Sequence, residues 1–198
     1  MGKTRKQEII RHSMEILFHE GVDRLTIKNI AKKMGFVESA MYRHYTSKRE
    51  ILQDIISYVD SICEEINEQV TASTASAFNK IEQYFSAWNR VYQEKPYLIP
   101  ILFSKELFKS DEQFIERLKQ ILDHHSRLID SLIEEGQNRN EFPPDIDTKR
   151  LKLIITAPPI LLIDTWFYSG RGFPLQEESE KLFQDVKRLV STTYTAVK

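Results

Sequence analysis

The sequence lacks the cross-links that stabilise many small folds. Its single cysteine, Cys63, cannot form a disulfide within the chain, and no group of cysteines and histidines has the spacing of zinc ligands. We therefore expect neither disulfides nor structural zinc. A reducing compartment fits this composition best.

Long apolar runs are also missing. The first ten residues contain no apolar stretch of the kind that a signal peptide needs. The longest uninterrupted apolar run, around Ile160 to Ile163, is far too short to cross a bilayer. These absences predict a cytoplasmic protein that has no membrane segment.

Glycine and proline are scarce, with 6 and 7 copies, while 41% of the residues are hydrophobic and 29% are charged. Such a composition is typical of a globular protein. The sequence shows no glycine-rich phosphate loop, no nucleophile elbow and no acid–base cluster beyond scattered carboxylates. It therefore predicts no enzyme activity, no cofactor and no metal site.

The net charge of −1 conceals an uneven distribution of charge along the chain. Residues 1–52 carry 11 Lys/Arg and 6 Asp/Glu, whereas the remainder carries 17 and 23. A basic N-terminal segment followed by an acidic remainder suits a protein that binds nucleic acid through its N-terminal segment only. Lysine and arginine favour such binding because they release counterions from the phosphates. A chance fluctuation of charge is the alternative.

Apolar residues recur at helical spacing almost everywhere, so we predict an all-α fold of about nine helices. Thr4 is expected to cap the first helix, which ends at Gly21, and Thr26 to cap a second helix that stops near Gly35. The third helix occupies about 38–44, and Ser47 caps a long fourth helix. Further helices are predicted at about 75–93, 96–108, 111–135, 147–168 and 176–197.

Two further expectations concern the organisation of the chain. We predict a DNA-binding domain over residues 1–50 and a second helical domain over residues 51–198. Pro158 and Pro159 lie inside the predicted eighth helix and remove two amide donors, so they should kink or break that helix after Ala157.

The segment from Leu25 to Leu52 has the pattern of a helix-turn-helix. Two short helices that cross closely need a small residue at the crossing and a glycine with positive φ in the turn, and Ala31 and Gly35 fit these positions. The apolar anchors beneath the two helices are Ile27, Ile30, Met34 and Met41. This arrangement predicts that the third helix enters the major groove.

With these residues in place, the segment resembles the DNA-binding domain of the tetracycline-repressor (TetR) family. The resemblance rests on Leu17-Phe18, Gly21, Leu25-Thr26, Ile30-Ala31, Gly35, the run from Met41 to Tyr45, Lys48 and Ile51-Leu52. It implies a C-terminal domain that binds a small-molecule effector and a homodimer formed through the last two helices. Two recognition helices would then lie ~34–36 Å apart on double-stranded operator DNA.

The resemblance also implies roles for the polar residues of the N-terminal segment. Tyr42, His44 and Lys48 match family positions that typically contact the sugar-phosphate backbone. Thr26 lies at a helix N-terminus, where its hydroxyl and the exposed amides can hold a phosphate, and it is also expected to cap that helix. The outward-facing residues expected to read bases are Lys28, Glu38, Ser39 and Arg43. For Glu38 the alternative is stabilisation by the helix dipole, and for Arg43 simple solvation.

Two details qualify this assignment. The family commonly has a small capping residue where Val37 stands, which leaves the register of the recognition helix open. Tyr45 occupies the family's aromatic position. We expect its ring to pack beneath the recognition helix rather than to contact DNA.

An aromatic stripe marks the predicted fifth helix. Phe85, Trp88 and Tyr92 share one face, which by pattern alone is most typical of a hydrophobic core. The resemblance suggests an effector pocket instead, with Phe103 and Trp166 as possible opposite walls. His125 interrupts an apolar stripe and needs a buried hydrogen-bond partner, which could be the protein or a ligand.

These patterns favour one function and leave another open. We expect a ligand-responsive, sequence-specific transcriptional regulator, a repressor that is released from its operator by a small, largely apolar or aromatic effector. The alternative is an architectural or nucleoid-associated DNA-binding protein that has no effector.

Overall fold

The computed structural model describes residues 4–103 and 112–191, and the chain is all α-helical there, with nine α-helices, one short 3-10 turn and no strand. This confirms the predicted fold class. The helices are α1 (Arg5–Glu20), α2 (Ile27–Met34), α3 (Glu38–Met41), α4 (Lys48–Ala72), α5 (Ala77–Glu94), α6 (Leu98–Phe103), α7 (Glu112–Asn138), α8 (Thr148–Tyr168) and α9 (Leu175–Val190).

The chain folds into two compact units, and neither is continuous in sequence. The first contains residues 1–62 and 95–121, and the second contains residues 63–94 and 122–198. The first unit therefore includes α1, α2, α3 and α6, whereas α5, α8 and α9 belong to the second. Helices α4 and α7 supply residues to both units.

The predicted caps of the first two helices are present. The Thr4 hydroxyl accepts from the backbone amide of Gln7. The side-chain oxygen of Gln7 accepts from the backbone amide of Thr4, which completes a capping box. Thr26 accepts from the Asn29 amide at 3.1 Å. These bonds satisfy amides that the helix itself leaves unpaired.

Two local features differ from the prediction. The third helix covers only Glu38–Met41, because the amides of His44 and Tyr45 both bond the Met41 carbonyl and the helical ladder stops there. Residues Val22–Arg24 form a 3-10 turn that the hydrophobic pattern did not indicate. The predicted helical stretches 104–108 and 192–197 lie outside the described residues.

Pro158 and Pro159 do not break the eighth helix. Helix α8 runs without interruption from Thr148 to Tyr168, so of the two predicted outcomes, a kink or a break after Ala157, the break does not occur. A proline removes one backbone bond but leaves φ close to the helical value, and the flanking turns are long enough to carry the helix through.

Helix α8 also presents apolar residues to solvent. Ile154, Leu161 and Tyr168, spaced at seven-residue intervals on one face, are 46%, 65% and 79% exposed. Among the described residues this is the one helix long and apolar enough to cross a membrane by length and composition, with a mean hydropathy of 1.3 and 28% of that window buried. One such helix is weak evidence for a membrane span.

A close contact holds the second unit together at the end of α7. An added Cβ at Gly136 would lie 2.3 Å from ring carbons of Phe142, so only glycine permits this approach. The Glu141 carboxylate accepts from the amides of Ala77 and Phe78, both at 3.2 Å. Glu141 thereby caps the start of α5 from a distant part of the sequence.

Candidate DNA-binding surface and effector site

The turn between α2 and α3 has the geometry of a helix-turn-helix. Gly35 adopts the left-handed conformation, with φ of 70°, and the Phe36 amide bonds back to the Ala31 carbonyl at 2.8 Å. This pair of features ends α2 and reverses the chain within two residues. Ala31 is 2% exposed and Met41 is fully buried, so apolar side chains anchor both helices from beneath.

Val37 is the N-terminal cap residue of α3, and it forms no side-chain cap bond. Its side chain is 70% exposed, and the helix begins at Glu38. The structure therefore keeps the register in which Glu38 and Ser39 form the first turn of the recognition helix.

The outer surface of this motif carries the residues predicted to read bases. Lys28, Glu38, Ser39 and Arg43 are all exposed. Glu38 lies 3.5 Å from the Tyr42 hydroxyl, which is a long hydrogen bond at the limit of the usual range. The structure thus brings all four side chains to solvent on α2, on α3 and in the turn that follows α3.

The residues predicted to hold phosphate differ in how strongly the protein itself engages them. Tyr42 is 51% exposed, and His44 is partly exposed. The Lys48 ammonium donates to the Val22 carbonyl at 2.8 Å. Because an ammonium carries three donors, this bond orients Lys48 and leaves two protons for a phosphate oxygen.

Two cation–π contacts join the start of α1 to residues of the helix-turn-helix. The Arg5 guanidinium lies 4.8 Å from the centroid of the Phe36 ring, and the Lys6 ammonium lies 5.0 Å from that of Tyr45. Tyr45 is 1% exposed and donates its hydroxyl proton to Asp54 at 2.7 Å. Burial, followed by this bond to Asp54, raises the pKa of Tyr45 far above its usual value.

The start of α4 is fixed by a local network. The Glu50 amide donates to the Ser47 hydroxyl at 3.3 Å, and the Glu50 carboxylate accepts from the amide and the hydroxyl of Thr46. These bonds lower the pKa of Glu50 below its usual value, with the hydroxyl bond contributing most. The turn that leads into Lys48 is therefore held by side chains rather than left free.

Five of the six residues proposed as effector contacts lie inside the second unit. Phe85, Trp88, Tyr92, His125 and Trp166 are each between 3% and 6% exposed. The rings of Trp88 and Tyr92 stack at 5.3 Å, and Phe85 packs against Phe183 at 5.6 Å. Phe103 is the sixth; it lies at the end of α6 in the first unit and is 46% exposed.

Of the two tyrosines of α5, Tyr92 is buried and Tyr84 is partly buried. Burial raises the pKa of Tyr84 to about 12 and raises that of Tyr92 well above the usual value. The Cys63 thiol of α4 adds a smaller upward shift to both groups.

His125 has a protein partner. Its Nδ1 lies 2.8 Å from the side-chain nitrogen of Asn67, which stands one helical turn after Cys63 on α4. The Asn67 amide must then donate to the imidazole, so Nδ1 is the accepting nitrogen. The Asn67 oxygen is buried and has no hydrogen-bond partner within residues 4–103 and 112–191.

Asn89 is a buried polar residue that the sequence analysis missed. It is 1% exposed, and neither its side-chain oxygen nor its nitrogen has a partner among the described residues. It stands four residues after Phe85 and three before Tyr92, so it shares their face of α5. A polar residue inside an apolar stripe, the signal used for His125, would have identified it.

Comparisons with known proteins agree with this architecture. Residues 9–55 match the profile of the tetR family of bacterial regulatory proteins, and residues 52–190 match the C-terminal region of YsiA-like proteins. Together the two matches cover most of the chain.

Two sequence relatives and one solved structure illustrate these similarities. The nucleoid occlusion factor SlmA of Vibrio cholerae is 26% identical over 72% of this chain and 74% of its own length. The fatty acid metabolism regulator protein of Bacillus subtilis is 20% identical over 92% and 93%. The crystal structure of FadR from Bacillus subtilis in complex with stearoyl-CoA superposes with a TM-score of 0.76 at 18% identity, covering 92% of this chain and 97% of that one.

Proposed function

The chain belongs to the tetR family of bacterial regulatory proteins, and from this premise we propose that it is a homodimeric, cytoplasmic repressor that a small, largely apolar effector releases from its operator. As a member of that family it is a DNA-binding transcriptional regulator, and the two Bacillus subtilis proteins named above are described as regulators.

The observation that carries DNA binding is the helix-turn-helix surface. Exposed Lys28 and Arg43 flank a short recognition helix whose other side is anchored by fully buried Met41. Lys48 and Tyr42 supply donors suited to phosphate oxygens beside it. We assign sequence reading to Lys28, Glu38, Ser39 and Arg43, and backbone contacts to Thr26, Tyr42, His44 and Lys48.

The exposed apolar face of α8 supports a homodimer. Ile154, Leu161 and Tyr168 of α8 and Leu189 of α9, at 76% exposure, are large apolar side chains left in water, and contiguous apolar patches of this kind mark interaction sites. A two-fold axis through these helices would cover the face of each copy with that of its partner. It would also place one recognition helix at each half of a palindromic operator.

The interior of the second unit supports the effector site. Trp88, Tyr92 and Phe85 supply an apolar lining, and Asn89 supplies a donor and an acceptor that the described protein groups leave unused. A buried amide without partners costs ~1–3 kcal/mol, a cost that a ligand carrying a carbonyl or hydroxyl group would remove. The likeness to regulators of fatty acid metabolism favours an acyl group as the apolar part.

Release from DNA then follows from linkage. An effector lowers operator affinity only if it binds more tightly to the conformation that fits DNA poorly, and DNA must weaken effector binding by the same factor. Couplings of this kind are about 1–3 kcal/mol, or about 5- to 150-fold in affinity.

A second candidate function is nucleoid-associated DNA binding without an effector. The similarity to nucleoid occlusion factor SlmA over 72% of the chain is the observation that favours it. Both functions use the same DNA-binding surface, and they differ in the response to small molecules and in how many DNA sequences are bound.

One experiment separates the two functions. Duplexes bound by the full-length protein are selected from a random pool, and the affinity for the enriched sequence is measured with and without acyl-CoA esters of increasing chain length. A repressor gives one enriched palindrome, and an acyl-CoA of suitable length weakens binding at least fivefold. Binding that no tested compound alters, with many degenerate sites enriched, would support the second function.

A further inference from the structure

A cleft of about 270 Å³ opens in the first unit between the N-terminal parts of α4 and α7. Leu52 and Ile56 of α4 and Phe114 of α7 form its floor, and each is about 4% exposed. Neither the DNA-binding surface nor the effector site described above uses this cleft. Its volume lies near the lower end of the range for small-molecule sites, which is ~300–1,000 Å³.

The described residues at the rim of the cleft carry positive charge. Arg49 stands on the α4 side and Arg117 on the α7 side, and no carboxylate is among the described residues that line the cleft. Both side chains are exposed, and neither forms an ion pair or hydrogen bond with any residue in the described part of the chain. Elsewhere on the same helices, Lys152 pairs with Asp130 of α7, and Lys6 pairs with Asp54 of α4.

The neutral polar groups at the rim can also donate hydrogen bonds to an anion. Gln53 and Gln113 supply amide donors beside the two arginines, and Ser57 supplies a hydroxyl. A guanidinium binds the oxygens of a carboxylate or phosphate through two parallel hydrogen bonds. Two such groups on opposite walls therefore favour an anion with several oxygens between them.

From the apolar floor and the cationic rim, we propose that this cleft binds an amphipathic anion, a short alkyl or aryl group that carries a phosphate or a carboxylate. The charged group lies between Arg49 and Arg117, and the apolar group covers Leu52 and Phe114. The DNA backbone is a poorer match, because a phosphodiester carries no apolar group that could contact the floor.

Such a ligand would act on the start of α4. Arg49 follows Lys48 directly, and Lys48 is the proposed phosphate contact at the end of the DNA-binding motif. An anion held by Arg49 places negative charge beside the position where DNA phosphate would lie, so it should lower DNA affinity. This regulatory consequence rests on the proposed function, whereas ligand binding at the cleft does not.

The proposal is tested by calorimetry on the full-length protein without DNA. The probes are octyl phosphate and octanoate below their micellar concentrations, with octanol and inorganic phosphate as comparisons. We expect octyl phosphate or octanoate to bind at least tenfold more tightly than octanol and than inorganic phosphate. The better of the two anions identifies the headgroup.

Three variants locate the site. Arg49→Gln and Arg117→Gln should each weaken binding of the preferred anion at least tenfold. Arg127→Gln, which removes an exposed arginine of α7 outside the cleft, should leave it unchanged. Thermal melts of all three variants check the fold, and the exposure of these side chains predicts unchanged melting temperatures.

Several results would overturn the proposal. Equal losses in all three variants would indicate non-specific charge attraction, and equal affinity for inorganic phosphate and octyl phosphate would give the apolar floor no role. No anion binding, combined with weaker DNA binding by Arg117→Gln, would assign the cleft to the DNA backbone. Because calorimetry is done without DNA, failure to select an operator would refute the proposed function and leave the cleft unaffected.

Discussion

Asn89 lets the effector site be tested through protein stability. Both of its amide atoms are buried without partners in the described part of the chain. Leucine has a similar shape and no polar atoms, so Asn89→Leu removes a desolvation penalty of ~1–3 kcal/mol and adds apolar burial. We therefore expect the free energy of unfolding to rise by about that amount in the absence of effector.

Gln137 provides a matched control. Its amide nitrogen donates to the carbonyls of Pro143 and Ile146 at 2.9 and 2.8 Å, and its oxygen accepts from the Thr148 hydroxyl at 3.1 Å. Gln137→Met keeps the length of the side chain but removes these three bonds. At ~0.5–1.5 kcal/mol for each bond, the variant should be destabilised by roughly 1.5–4.5 kcal/mol.

The two variants are compared by urea unfolding and thermal melts at equal protein concentration, because a dimer's stability depends on concentration. In a chain of this length, 1 kcal/mol shifts the melting temperature by about 2–4 °C. Asn89→Leu should therefore melt about 2–12 °C higher than the parent, and Gln137→Met lower.

A fall in stability for Asn89→Leu comparable to that of Gln137→Met would refute the reasoning, because it would show that the fold itself satisfies the Asn89 amide. If instead Asn89→Leu is more stable and has also lost its response to the effector, the amide is kept for ligand recognition at the expense of stability.

Three other substitutions test separate parts of the account. Lys48→Ala should lower the slope of log affinity against log salt by about 0.9 for each DNA phosphate that Lys48 neutralises, whereas Lys149→Ala, on α8, should leave the slope unchanged; equal slopes in both variants would remove Lys48 from the DNA interface. Leu161→Glu should convert a dimer into a monomer at micromolar concentration in sedimentation, since it places a charge in the exposed apolar face of α8; a dimer that persists would move the interface elsewhere. Glu50 has a lowered pKa in the folded chain, so its stabilising effect is present above its usual pKa of 4.5 and is lost as the pH falls through the lower folded value. Unfolding free energies measured across this range should decline more steeply in the parent than in Glu50→Gln, and identical profiles would contradict the Thr46–Glu50 network.

Much of the first unit could be predicted because its signals are local. Thr4, Thr26 and Gly35 act on residues within one or two turns, so their spacing alone predicted the ends of the helices. The length of α3 was harder to predict. It ends where the Met41 carbonyl accepts from the amides of both His44 and Tyr45, and this depends on how the chain continues into α4. Periodicity does not report such a choice.

In the second unit, contacts between residues far apart in sequence limit what the sequence can predict. Glu141 caps α5 from more than sixty residues away, and no pattern in either segment shows this. The isolation of Asn89 and the pairing of Asn67 with His125 depend likewise on which helix faces meet. The Arg49 and Arg117 cleft joins two distant helices, and neither arginine is unusual in its own segment.

The central claim is that this chain is a two-fold dimer that reads DNA with α3 and the residues around it. Selection of bound duplexes from a random pool, followed by hydroxyl-radical footprinting of the enriched sequence, tests it most directly. Such a dimer should protect an inverted repeat whose half-sites lie about one helical turn apart, ~34–36 Å between centres. Enrichment of a single unrepeated half-site, or of no sequence, would contradict it.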